Sequence, residues 1–195
     1  IEERHPGRFL LGVGIGHPEA TSEYRKPYET MVTYLDELSA AGVPREQMIL
    51  AALGPRALRL AADRTVGSHP YFTTPRHTAM AREIVGDQAV LAVCQTVVVD
   101  SDRDQGRGLA RAFAARYLGL VNYRNSLLRE GWAREDLDDG GSAALIDEVV
   151  LTGDAELVAS GIRAHIEAGA DNVNIQALGD DPKPSYRVLA GELLG

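Results

Sequence analysis

Ala89-Val90-Leu91-Ala92-Val93-Cys94-Gln95-Thr96-Val97-Val98-Val99 is the stretch on which the fold turns. Its side chains are apolar almost without interruption. A strand with one wet face alternates apolar and polar residues, whereas a strand inside a parallel sheet, covered on both faces, does not. The run therefore predicts a parallel strand buried on both sides. Upstream, Val66 through Tyr71-Phe72 reads as a strand leading into Thr73-Thr74-Pro75. Thr74 is placed to cap the next helix and Pro75 to be its first residue, where a missing N–H costs nothing. That helix is expected to stop near Gly86.

The same grammar repeats in both directions. Met48 to Leu53 is a strand, Gly54-Pro55 opens a helix, and Leu58, Ala61 and Ala62 form its packing face. Before it, Tyr28, Met31, Val32, Leu35 and Leu38 recur at helical spacing until Gly42 and Pro44. Earlier still, Phe9 to Ile15 is a strand whose glycines, Gly12, Gly14 and Gly16 at its end, let another backbone or a ligand come close. Downstream, a long helical stretch runs from Arg103 to about Glu130 and an acidic loop surrounds Asp138-Asp139-Gly140-Gly141. Asp154 caps a helix carrying Leu157, Val158, Ile162 and Ile166 that stops at Gly169; Val173 to Gln176 is the closing strand, and Tyr186 to Leu194 a terminal helix. Five strands, each followed by helix and none by a hairpin signal, pair in parallel. The architecture is α/β in a single domain over residues 1–195, either an open doubly wound sheet or a (β/α)8 barrel. A whole barrel takes about 250 residues, so five units fall about three short of one.

The 195 residues, 45% hydrophobic and 25% charged, carry a formal net charge of -8. An acidic chain lacks the basic face that a phosphate backbone or an anionic membrane demands, which leaves small-molecule chemistry as the expected business. Cys94 is the only cysteine, so neither an internal disulfide nor a thiolate zinc cluster is available. With no apolar run of membrane-spanning length and no signal-peptide pattern in the first residues, a cytoplasmic location is expected.

Gly12-Val13-Gly14-Ile15-Gly16-His17-Pro18 follows a strand but is not a dinucleotide fingerprint, because His17 stands where the third glycine belongs and Pro18-Glu19 does not open a helix. What matters is its place. In a barrel, residues just beyond a strand's C-terminal end face the active site. The junctions Leu53-Gly54-Pro55-Arg56 and Tyr71-Phe72-Thr73-Thr74-Pro75-Arg76 each offer a helix N-terminus with an arginine nearby, a natural phosphate site. A plain helix cap with solvated arginines is the competing reading of each. His69 and His77 are eight apart, and no histidine spacing suits a metal. His69, at the end of its strand, is a candidate ligand contact or a satisfied rim residue; Cys94 reads as a small core residue. Tyr117, Tyr123 and Trp132 are either a pocket wall or ordinary packing, and Asp136, Asp138 and Asp139 a solvated loop.

Three stretches taken together, Gly7 to Gly16, Ala52 to Ala61, and Gly153 to Val158 with Ala168 to Asp171, resemble the luciferase-like oxidoreductase superfamily and within it the branch that uses the deazaflavin coenzyme F420. The resemblance implies a luciferase-like (β/α)8 TIM barrel in which Phe9 to Ile15 is the fourth strand and Val173 to Ala177 the eighth, the N-terminal strands being absent. It implies a cofactor whose phosphate or ribityl end lies near Gly54 and Pro55 and near Tyr71, Thr73, Thr74 and Arg76. Related sugar-phosphate dehydrogenases place an acidic glutamate after the fourth-strand glycines, where this chain has His17; His17 is the expected proton-exchanging group. Glu19 and His69 are expected substrate contacts.

The function expected is hydride transfer between coenzyme F420 and an organic substrate, in a homodimer, with no metal. Two alternatives stand beside it: an FMN-dependent monooxygenase of the same superfamily, and a non-catalytic flavin-binding or assembly relative.

Overall fold

The computed structural model describes residues 2, 4–16, 26–100 and 102–195. Within them lie six parallel strands: β1 Leu11–Val13, β2 Met48–Leu50, β3 Gly67–Ser68, β4 Val90–Val99, β5 Val150–Gly153 and β6 Asn172–Ala177. Eight α-helices accompany them: α1 Pro27–Ala40, α2 Pro55–Arg64, α3 Pro75–Val85, α4 Arg103–Leu118, α5 Val121–Arg129, α6 Ala143–Val149, α7 Ala155–Glu167 and α8 Lys183–Leu194. No helix among the described residues is long and apolar enough to cross a membrane. Local signals behave as the sequence dictates. Pro55 and Pro75 stand at the first turns of α2 and α3, the Thr74 hydroxyl accepts from the His77 N–H, and Asp154 accepts from the Leu157 N–H.

The strand path runs β1-β2-β3-β4 and continues through β6. Alternate residues of a strand bond to opposite neighbours, so the hydrogen bonds assign the edges of β4. The Val90 and Cys94 N–H groups donate to Val66 and Pro70 beside β3, and the Asp100 N–H donates to Gly153 of β5. These are all even-numbered, so β3 and β5 share one edge, one above the other. The Leu91 and Val97 carbonyls accept from Asp171 and Leu178 at the two ends of β6, on the other edge. The sequence expectation of five strands is thus one short. β5 is the addition, and the long helical stretch from Arg103 divides at Gly119-Leu120 into α4 and α5.

The helices pack on one face of this curled sheet. Val13, Leu50, Leu91 and Val93 point into the core they form with Leu35, Leu58, Ala61 and Ala81. Val97 meets Val158, Ile162 and Leu189 in a second cluster. The opposite, concave face is covered only in part. On it Thr96 and Val98 are buried, but Val90, Ala92 and Cys94 are half-buried and Gly12, Gly14, Asn172 and Asn174 are exposed. The expectation that β4 is buried on both faces holds only for its C-terminal half. There α4, α5 and α6 fold over the strand ends and bury Phe72, Val98, Tyr123 and Leu145 together.

At the N-terminal end of the sheet one arginine holds the turns before β4 and before β6. Arg82 donates to the carbonyls of Gly86 (2.6 Å), Ala89 (2.8 Å) and Gly169 (2.9 Å), and pairs with Asp171 (2.6 Å). The same Asp171 oxygen accepts from the Leu91 N–H at 2.7 Å. Gly67 carries the tightest approach in the sheet: its φ is +158°, and a Cβ there would lie 1.8 Å from the Val90 carbonyl oxygen. Gly67→Ala should cost roughly 3 kcal/mol or more in a urea unfolding experiment, since rigid backbone cannot yield. Gly12→Ala, whose Cβ meets nothing within 4 Å, should leave the midpoint nearly unchanged. Equal effects from the two would contradict this register.

Candidate functional site

The C-terminal ends of β1 and β2 open into a cleft of about 430 Å³. Its floor is small: Gly14 and Gly16 follow β1, and Ala51 and Gly54 follow β2. Ile15, Met31 and Leu53 supply apolar walls, and α5 closes one side with Asn122, Asn125 and Arg129. The Arg129 guanidinium lies 3.6 Å from where a Cβ on Gly54 would stand, which places it directly over the start of α2. Partial burial lowers the Arg129 pKa, with the Glu130 charge opposing that shift, and Arg129 has no ion pair or side-chain hydrogen bond among the described residues. The Asn122 Oδ1 is enclosed without a donor. Gly54 caps α2 with no side-chain acceptor of its own, so the first N–H groups of α2 lie at the cleft without a protein cap.

The junction after β3 is organised differently. Phe72 adopts φ of 56°, unusual for a bulky residue and a cost of order 1–3 kcal/mol. Both neighbouring rings pack against Tyr117, Tyr71 edge-on with centroids 5.2 Å apart. Phe72 stacks on Tyr117, centroids 5.0 Å apart, while the Tyr71 hydroxyl donates to Gln176 Oε1 at 2.6 Å on the concave side. Burial, with the neighbouring Tyr117 hydroxyl, pushes the Tyr71 phenol well above its ordinary pKa. Thr73 is buried, its hydroxyl without a partner. Thr74 donates to Glu130 Oε2 at 2.6 Å, and the Arg76 guanidinium donates to the Glu130 main-chain carbonyl. At the N-terminus of α3, where an external anion was expected, the structure places the buried carboxyl of Glu130. Burial pushes that carboxyl up to about 7, against the Thr74 hydrogen bond and the charges of Arg76 and Arg129. Trp132 and Glu148 complete a second cleft of about 340 Å³ beside Thr74 and Arg76.

His17 and Glu19 lie outside the described residues. His69 is half-buried on the concave face, with Nδ1 2.6 Å from the Ala92 carbonyl oxygen. His77 and His165 are core residues. His77 donates from Nε2 to the Leu53 carbonyl, and burial lowers its pKa; His165 bridges Thr78 and Gln95, and burial pushes it down to about 4. Cys94 is half-buried on the concave face rather than in the core, and burial raises its thiol pKa. Among the described residues no group of His, Cys, Asp and Glu is placed to hold a metal. Of the described residues expected from the sequence to hold cofactor or substrate, Gly54 lines the larger cleft, together with Gly14, Gly16 and Leu53 from the glycine-rich strand end and the junction after β2. Asn122, Asn125 and Arg129 of α5 and Glu130 at its C-cap escaped notice because they sit in what reads as one long helix; Gly119 was the available signal.

No family model matches the sequence, and no curated protein matches it. Solved structures do. An F420-dependent secondary alcohol dehydrogenase, in complex with an F420-acetone adduct, superposes with a TM-score of 0.68 at 15% identity, covering 98% of this chain and 70% of its own. The coenzyme F420-dependent tetrahydromethanopterin reductase of Methanopyrus kandleri gives 0.66 at 14% identity, covering 96% and 74%. Apo-MsnO8 gives 0.67 at 15%, covering 99% and 70%. At such identities the likeness establishes the fold.

Glu130 makes a prediction of its own. A carboxyl whose folded pKa of about 7 exceeds its ordinary value of 4.5 stabilises the fold below the lower value and loses that contribution as pH rises through the higher one. Wild type should therefore lose roughly 3 kcal/mol relative to Glu130→Gln, which keeps an acceptor for Thr74, between about pH 5 and pH 8. Chemical denaturation across that window measures it, and parallel profiles would show that Glu130 is not held protonated.

Proposed function

We propose that this chain is an oxidoreductase that binds the deazaflavin coenzyme F420 in the cleft at the ends of β1 and β2 and exchanges a hydride between it and a small organic substrate. The observation that carries the reading is the position and lining of that cleft, on a fold shared with two F420-dependent enzymes. In this reading β1 to β4 and β6 correspond to strands four to eight of a luciferase-like (β/α)8 barrel, and β5 is an extra strand beside them. The partly uncovered concave face and the 70% coverage of the alcohol dehydrogenase support that correspondence.

The residues present fit such a cofactor. A cavity of about 430 Å³ falls in the range of small-molecule sites. Glycine and alanine along its floor leave flat, apolar surface for a planar ring, and Ile15, Met31 and Leu53 exclude water beside it. Arg129, with the uncapped start of α2 at Gly54 and Pro55, supplies positive potential for the anionic end of the molecule. Asn122 offers its enclosed carbonyl oxygen as an acceptor. Thr74, Arg76 and Glu130 act one step back, fixing the end of α5 on which Arg129 stands. Tyr71 and Thr73 border this machinery on the β3 side, and His17, next after Gly16, is proposed to exchange the substrate's proton. When bound, the cofactor supplies the hydride chemistry; the protein places, shields and manages protons.

Titration of the protein with coenzyme F420, followed by the cofactor's fluorescence, should show saturable binding that FMN competes for only weakly. Arg129→Ala should weaken it about tenfold, equivalent to about 1.4 kcal/mol. Preferential binding of FMN, or binding of neither, would overturn the proposal, and an unchanged affinity in Arg129→Ala would remove that residue from the site.

A further inference from the structure

His69 owes its geometry to the proline that follows it. The ladder that joins β3 to β4 has the Cys94 N–H donating to the Pro70 carbonyl at 2.9 Å. In a parallel ladder the next bond back along that edge would run from the nitrogen of residue 70 to the carbonyl of Ala92. Proline has no hydrogen to give. The Ala92 oxygen is met instead by His69 Nδ1, at 2.6 Å. A carbonyl oxygen only accepts, so Nδ1 carries a proton, and in the singly protonated ring this fixes the tautomer that leaves Nε2 as an acceptor.

The position of the ring gives this a use. Continuing the pairing register of β1, β2, β3, β4 and β6 across the sheet puts Gly14, Ala51, His69, Ala92 and Asn172 in one crosswise row on the concave face. Gly14 and Ala51 line the cleft, and His69 stands on the next strand, about 4.8 Å along the row. Nε2 has no hydrogen-bond partner among the described residues and is not enclosed. The polar side chains nearest it in the row and in the row above, Asn172, Asn174 and Tyr71, are uncharged amides and a phenol.

We infer that His69 is a ligand-binding residue whose Nε2, locked as an acceptor by the carbonyl that Pro70 leaves unpaired, takes a hydrogen bond from the hydroxyl of an uncharged alcohol. The inference rests on reading the concave face beside the cleft as the substrate site, and not on the identity of the cofactor. It makes His69 a positioning residue, holding the hydroxyl at one fixed point on the face.

The test uses the protein without any cofactor, so its failure and that of the deazaflavin reading are separate. In 15N-labelled protein, the long-range nitrogen–proton spectrum of the histidine rings should show His69 protonated at Nδ1 and bare at Nε2. Adding cyclohexanol should move the Nε2 resonance upfield saturably, while cyclohexanone, of the same shape but without a hydroxyl hydrogen, should not. His69→Asn, whose amide can still donate to Ala92, should keep the urea midpoint near that of wild type yet weaken cyclohexanol binding, read from neighbouring amide shifts, about tenfold. His69→Phe, with no donor for Ala92, should be less stable than His69→Asn. An Nε2-protonated ring, an equal response to alcohol and ketone, no response to either, or undiminished alcohol binding in His69→Asn would each overturn the assignment.

Discussion

Everything in this chain is arranged around the two edges of β4. One edge is shared by β3 low down and β5 higher up, and the other is taken by β6 along most of its length. A ten-residue strand can satisfy its backbone that way only if the three neighbours arrive at staggered heights. The stagger then dictates where helices can stand. α4 to α6 fold over the C-terminal half, where β5 joins the ladder, and they build the rim that carries α5 to the cleft. At the other end, Arg82 and Asp171 tie the start of β4 to the turns before it and before β6.

The rim is also where the polar side chains collect. Glu130, Thr73, Asn122 and Ser126 each keep a buried polar atom without a partner, an unusual concentration for so small a region. Together with the left-handed φ of Phe72, they mark a part of the molecule organised for something other than packing. Three side chains resolve the arrangement. Glu130 fills the α3 N-terminus from inside, Arg76 anchors the Glu130 backbone, and Arg129 lies beside Gly54 rather than in an ion pair.

How much of this was legible in the sequence follows the range of the interactions. Helix starts at Pro55, Pro75 and Asp154 were readable because a cap or a proline acts within one turn. β5 was not, because Val150 to Gly153 follows α6 without a turn and becomes a strand only by pairing with Thr96 to Val99, more than fifty residues earlier. The half-open concave face was misread for the same reason: an apolar run reports that a strand belongs in a parallel sheet, but not which of its faces a neighbour covers. Gly54 could be found by its place after a strand. Arg129 and Glu130 could not, since their partners lie on α2 and α3 across the fold.

The central claim is that the space between the ends of β1 and β2 and the side of α5 is a deazaflavin site. A crystal structure of the protein grown with coenzyme F420 tests it most directly. The account predicts ring density against Gly14, Ala51 and Gly54, with the anionic end toward Arg129 and the concave face left free beside His69. Ring density in the Thr74, Arg76 and Trp132 cleft instead, or an ordered protein with no cofactor density at saturating concentration, would contradict it.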